Sequence, residues 1–344
     1  MADLYDAIPK VELHCHVEGT VRPTTVMELA RKAGRPLPVD DPAELYRYSS
    51  LDTFLEIFWL VQETLTEPAD WERIAYESLI DGAPHGLRYR ETFFTPARHL
   101  AAGQDLAGII DGLAAGIAAA AAEADVRAAL ILDMDRAYGP AAALELVEQL
   151  VELRRAGGAG DVVGVGMDST ELGVDLAAFK PAYDLARSAG LRLTGHAGEA
   201  VGVGPANIRT ALDVLGVERI DHGVAVMEDP ELVRRMAGER IPLTVCPNSN
   251  VVIANRFPSL EAHPFRAMRE AGLVATINTD DPGMIDLDLG KEYRSVAAAQ
   301  RLSFDEVAAV ALDGVEASWL EGPEKAALRA DFEARLAELR PIPA

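Results

Sequence analysis

Short runs rich in Val, Ile and Leu recur along the chain, each ending in a turn or polar residue, most of them followed by a stretch with helical periodicity. They predict eight strands, over residues 10–14, 88–94, 127–132, 162–167, 191–194, 219–221, 242–246 and 273–278. Amphipathic or Ala-rich segments at 106–123, 141–156, 177–190 and 207–215 are long enough for right-handed crossovers between parallel neighbours. Eight such alternations predict an α/β fold, one (β/α)8 TIM barrel, with residues 1–344 in a single domain. Two stretches break the repeat. Residues 22–84 are too long for one crossover and hold an apolar run at 51–61 with Phe54, Phe58 and Trp59. That run reads as an extra packed helix or as a lid over the barrel mouth. Residues 303–339, after the last strand, read as helix, opened by Ser303 and Glu306 at capping-box spacing.

Composition narrows the partners. With 49% hydrophobic and 25% charged residues the chain has a core to bury, which excludes disorder. Against 32 basic residues stand 55 acidic ones, a formal net charge of -23. Such a surface repels a phosphate backbone and an anionic bilayer, so no nucleic acid and no membrane is expected, and a small molecule is. The start MADLYDAIPK lacks the basic-then-apolar pattern of a signal peptide, and no run of 18 uncharged apolar residues occurs. Cys15 and Cys246 lie too far apart in sequence to form a disulfide framework. A cytoplasmic protein is the expectation; the oligomeric state is left open.

Candidate chemistry gathers at predicted strand ends. Of seven histidines, His14, His16, His196 and His222 end strands one, five and six, and the catalytic groups of such barrels project from that rim. Alternation places His14 and His16 on one face and Cys15 on the other, which is half of a divalent-metal site or two satisfied core histidines. His196 opens His196-Ala197-Gly198-Glu199, and the eighth strand runs into Asn278-Thr279-Asp280-Asp281-Pro282. Three imidazoles and a carboxylate suit zinc with one position left for water. The fourth strand has no lysine to bridge two ions, which favours one metal. The signatures H-E-x-x-H, G-x-S-x-G and H-x-E with P-C-x-x-C are absent.

Pro9-Lys10-Val11-Glu12-Leu13-His14-Cys15-His16, His196-Ala197-Gly198-Glu199, Ile220-Asp221-His222-Gly223 and Asn278-Thr279-Asp280-Asp281-Pro282, in that order, resemble the adenosine and adenine deaminase family from about residue 8 to at least 281. The resemblance implies a zinc barrel, one Zn2+ per chain, acting on a small-molecule 6-aminopurine. It implies His14, His16, His196 and Asp280 as zinc ligands and Glu199 as proton donor. His222 would be the base or the orienting group for the attacking water, and Asp281 a purine contact. A backbone N–H near Glu171, in the segment containing Ser169, would meet the purine N3. Water on zinc has its pKa lowered to roughly 7, so hydroxide is available for C6. Glu199 must then be protonated to serve N1, and Asp281 to serve N7, which requires a dry site. Ammonia leaves and a 6-oxopurine remains.

The choice of purine turns on departures from that pattern. Glu18 stands where adenosine deaminases carry an Asp for the ribose 5'-hydroxyl, and with Ser169 and Glu171 it resembles the adenine branch. Ala200 stands where that branch usually has a second acid. A nucleoside modified at the 5' position, such as 6-amino-6-deoxyfutalosine of a menaquinone route, reconciles both, with Arg98 pairing its carboxylate. Free adenine is the alternative; a different single-metal amidohydrolase and a non-catalytic binding barrel are the remaining ones. His85 and His99 read as surface loop residues, His263 as packing at a helix start, and Asp221 as orienting its neighbours. Asn248-Ser249-Asn250 reads as lining the mouth.

Overall fold

Nine strand segments occupy the eight predicted positions: β1 Lys10–Glu12, β2 Leu87–Phe94, β3 Arg127–Asp135, β4 Val162–Asp168, β5 Arg192–Leu193, β6 His196–Ala197, β7 Ile220–His222, β8 Pro242–Val245 and β9 Val274–Ile277. They come from a computed structural model that describes residues 3–49 and 51–340. Every ladder is parallel, with β1 to β5 paired in order and β6 to β9 paired in order. The predicted fifth strand is thus two segments. Thr194 N donates to Val165 O of β4 (3.0 Å), and Asp221 N of β7 donates to Gly195 O (3.0 Å), so the strand changes partner at Thr194-Gly195. Closure is made beyond the strands' regular ends. Cys15 bridges Asp280 in parallel, with Asp280 N donating to His14 O (3.1 Å) and His16 N to Asp280 O (2.9 Å). The result is a closed (β/α)8 barrel.

The two insertions shape its ends. Residues 22–84 form helices Pro23–Ala33, Leu51–Gln62 and Pro68–Gly82. The second combines both sequence readings: it packs on the core through Phe54 and Phe58, and the same rings wall the mouth. The C-terminal stretch is two helices, Phe304–Ala317 and Gly322–Leu339, not one. The break between them carries Trp319, whose backbone N–H donates to Glu91 (2.5 Å) and whose ring lies 4.0 Å from the Arg219 guanidinium. A β-carbon on Gly164 would sit 2.6 Å from that ring, so the glycine in β4 makes room for it. Arg219 pairs with Glu91 at 2.6 Å, both buried. The indole and this ion pair plug the N-terminal end, and the opposite end remains as the mouth.

Helix Leu106–Glu123 has the length and apolarity to cross a membrane. In the fold it packs on Pro68–Gly82: β-carbons on Gly112 and Gly116 would lie 2.3 Å from Pro68 O and 2.2 Å from Glu72 O. Its glycines let two helix backbones approach, as barrel packing requires.

Candidate active site

The strand ends deliver their side chains with backbone geometry that sequence alone does not advertise. His222 (φ 58°), Asp280 (φ 68°) and Ser169 (φ 74°) all occupy the left-handed region, uncommon for residues with a β-carbon. Each lies where a strand breaks off at the mouth, and each turn aims a side chain over the barrel axis. Around that axis His14 Nε2 approaches Asp280 Oδ1 at 3.2 Å, and His16 Nε2 approaches the same oxygen at 3.4 Å. His16 Nε2 and His196 Nε2 face each other at 3.2 Å. Donor atoms of His14, His196, His222 and Asp280 all lie within 4.8 Å of one another. All five residues are buried.

This arrangement fits a cation. Burial pushes His16 down to about 4 and lowers His196 and His222 well below the usual imidazole range, so the three rings are neutral, and His16 and His196 can turn lone pairs toward the carboxylate. His14 Nε2 is buried and makes no well-directed hydrogen bond among the described residues, its carboxylate neighbour Asp280 notwithstanding. Neutral imidazoles with an adjoining carboxylate are the donor set of a divalent metal. The far sides of the rings are supported unequally. His14 Nδ1 meets Thr244 Oγ1 (3.1 Å), which donates to Asp221 Oδ1 (2.8 Å), and Asp221 Oδ2 lies 3.8 Å from His196 Nδ1. His16 Nδ1 lies 3.8 Å from Asp133; Asp133 is fully buried, and neither of its oxygens has a hydrogen-bond partner among the described residues.

Two carboxyl groups border this cluster. Burial, then the neighbouring Asp280 and Glu171, pushes Glu199 well above the ordinary carboxyl range; its Oε1 is 3.7 Å from His222 Nε2. Burial, then Asp280, Glu18 and Glu199, does the same to Asp281, whose Oδ1 has no partner. In both, the shift favours the protonated form, which can donate a hydrogen bond.

The cavity over this cluster is walled by Phe54, Leu55, Phe58 and Ile253 and carries the carboxyl groups of Asp168, Glu171, Glu199, Asp280 and Asp281. No Lys or Arg is among the described residues that line it. Ser169 lines it, and so does Glu171, whose carboxylate accepts from Gly198 N and Glu199 N (2.8 Å each) and from Asn207 (2.9 Å). Glu171 therefore builds the turn that presents Glu199. Glu18 does not line the cavity. It is buried beneath it, accepting from Thr95 N at 2.8 Å, its carboxyl pushed up to about 7 by burial. Arg98 is likewise absent from the lining: its guanidinium lies over Trp59 (4.9 Å) and 3.9 Å from Glu63.

Arg136 acts here without a readable signal, whereas Ser249 and Asn250 belong to the segment read from sequence as lining the mouth. Arg136, buried at the end of β3, donates to Asp168 O (2.6 Å), Met167 O (2.9 Å) and His196 O (2.9 Å), pinning neighbouring strand ends. Ser249 donates to Asp280 Oδ2 at 2.5 Å, and Asn250 meets His222. Asn248 turns away to Glu292, so the segment 248–250 stands behind the mouth. His99 is no surface residue: it is buried, edge-on to Trp71 at 4.6 Å.

A closed parallel barrel with imidazoles and a carboxylate at its C-terminal mouth defines a metal-dependent hydrolase of the amidohydrolase type. The family model described as adenosine deaminase matches residues 9–334, and the chain belongs to the adenosine deaminase family, hydrolases acting on C–N bonds. Adenine deaminase of Streptomyces coelicolor is 38% identical over 343 residues, covering 98% of each chain. Among solved structures, adenine deaminase from Arthrobacter aurescens superposes with a TM-score of 0.90 at 32% identity, covering 96% of this chain and 99% of that one. A zinc-bound amidohydrolase from Burkholderia ambifaria gives 0.89 at 32% identity, covering 98% and 92%.

Proposed function

We propose that the chain deaminates free adenine to hypoxanthine and ammonia, with one zinc ion held by His14, His16, His196 and Asp280. The observation that carries the choice of substrate is the cavity lining: apolar walls, carboxyl groups and no basic side chain among the described residues. A neutral planar base suits such a site, whereas a phosphate or carboxylate tail finds no basic side chain among the described lining residues to pair with. Arg98, the one cation proposed for a carboxylate tail, stacks on Trp59 away from the lining. The adenine deaminases among the relatives support the same reading, at the expense of the nucleoside expected from sequence.

A divalent ion in this donor set lowers the pKa of water to roughly 7 and so supplies hydroxide near neutral pH. The chain's own groups do the rest. Glu199, protonated through burial, gives its proton to N1, which makes C6 electrophilic as the ring loses aromaticity. Asp281, also protonated, donates to N7 and fixes the ring plane. Phe54 and Phe58 keep bulk water from the ring and strengthen these hydrogen bonds. The oxygen of water adds to C6. Glu199 recovers the first proton that the water sheds and passes it to the amino group; the C6–N bond breaks as the remaining hydroxyl proton returns to Glu199, and ammonia and the 6-oxopurine depart.

The test is kcat/KM for adenine, adenosine and 6-amino-6-deoxyfutalosine, followed by ultraviolet absorbance. Adenine is expected to lead by about 100-fold or more, the scale of a polar-group mismatch in a buried site. A lead for either nucleoside contradicts the proposal.

A further inference from the structure

Behind His222 runs a line of buried polar groups that does not reach the cavity. The backbone N–H of Phe265 donates to His263 Nδ1 at 3.1 Å. A backbone amide only donates, so His263 Nδ1 holds a lone pair and the ring's proton is on Nε2. That Nε2–H lies 3.1 Å from Asn250 Oδ1, which sets the amide with its oxygen toward His263 and its NH2 toward His222. Asn250 Nδ2 then donates to His222 Nδ1 at 3.1 Å. His222 Nδ1 is an acceptor, and its proton stands on Nε2, the nitrogen that faces Glu199 Oε1 at 3.7 Å and Asp280 Oδ2 at 3.9 Å. Asn250, His222 and His263 are 0%, 1% and 3% exposed, so solvent does not compete for any of these positions.

We infer that the Phe265–His263–Asn250 relay holds His222 as the Nε2–H tautomer, presenting a proton donor rather than a lone pair to the reacting position. A ring in that state cannot take the proton that water sheds. It donates a hydrogen bond to the attacking oxygen and holds its direction, while the shed proton returns to Glu199 after N1 has been protonated. His263 and Asn250 are positioning residues: they act through His222 and touch no substrate. The tautomer follows from hydrogen-bond direction alone; its consequence for turnover rests on the deamination proposed above.

The measurement is the tautomer itself, in zinc-loaded protein labelled with 15N-histidine, where long-range proton–nitrogen correlations separate the seven rings. His222 is expected with its proton on Nε2 and a bare Nδ1. Asn250→Asp replaces the donor by an acceptor and is expected to move the His222 proton to Nδ1. It should lower kcat by about 100-fold or more with KM changed little, as a wrong-tautomer substitution does in a catalytic triad. His263→Leu frees the amide to turn and should give mixed tautomers with an intermediate loss. A His222 proton on Nδ1 in the unaltered protein overturns the inference, as does an Asn250→Asp variant with an unmoved proton or full kcat. If that variant fails to fold, the spectrum of the unaltered protein still decides. A chain that shows the expected tautomer but deaminates no purine retires the function and leaves the relay standing.

Discussion

A β-carbon on Gly19 would sit 1.8 Å from Asp281 Oδ1, so the missing side chain is what lets that carboxyl stand at the cavity wall. Gly19→Ala is expected to displace Asp281, lowering kcat/KM for adenine by about tenfold or more and costing about 1–3 kcal/mol of stability through overpacking; steady-state kinetics and thermal unfolding check both. Glu199→Gln keeps the shape and the hydrogen-bond reach but has no acid proton. Zinc content should be unchanged while kcat falls by about 10²–10⁴-fold, the usual worth of a general acid. Asp133, 3.8 Å from His16 Nδ1, is expected to fix that ring: Asp133→Asn should weaken zinc affinity by about 10–100-fold in a chelator competition. At this scale the sequence was informative where a polar side chain follows a strand end, as at His14, His16, His196 and Asp280, which the fold brings together. It was silent for Asp133, an acid inside the apolar run Ile131-Leu132-Asp133-Met134 that reads only as strand. The link from His263 to Asn250 was hidden because the two lie on separate elements brought together by the turn before helix Phe265–Glu270.

Elements were legible by periodicity and their ends were not. All eight strand positions follow from apolar runs, yet β1 stops at Glu12 because Leu13 N bonds to the Asn278 side chain (2.8 Å) rather than to a neighbouring backbone. The fifth strand divides because it changes partner at Thr194-Gly195, a tertiary event with no local signature. The left-handed turns at Ser169 and Asp280 carry no adjoining glycine to announce them, whereas the one at His222 runs on into Gly223 (φ 67°). Nor did helical periodicity across 303–339 reveal the break at Trp319, which the barrel's N-terminal opening demands. Trp319→Ala should open a cavity there and cost about 3–5 kcal/mol, read as a fall in the unfolding midpoint with the zinc site intact. The helix Leu51–Gln62, by contrast, shows its double use in its composition: an apolar run with aromatic rings serves both packing and water exclusion.

The whole molecule joins a strongly acidic chain, net -23, to a mouth whose lining is itself acidic. Neutral substrate and a cation are what such a field admits, and anions are what it turns away. Closure of the barrel draws residues 14 and 280 to 3.2 Å across 266 positions of sequence, so the donor cluster exists only in the folded state. The most direct test of the account is to titrate chelator-stripped protein with zinc while following adenine deamination. Activity should be absent at the start, rise in proportion to added metal and stop rising at one zinc per chain. Full activity in the stripped protein, or a break at two ions, contradicts it.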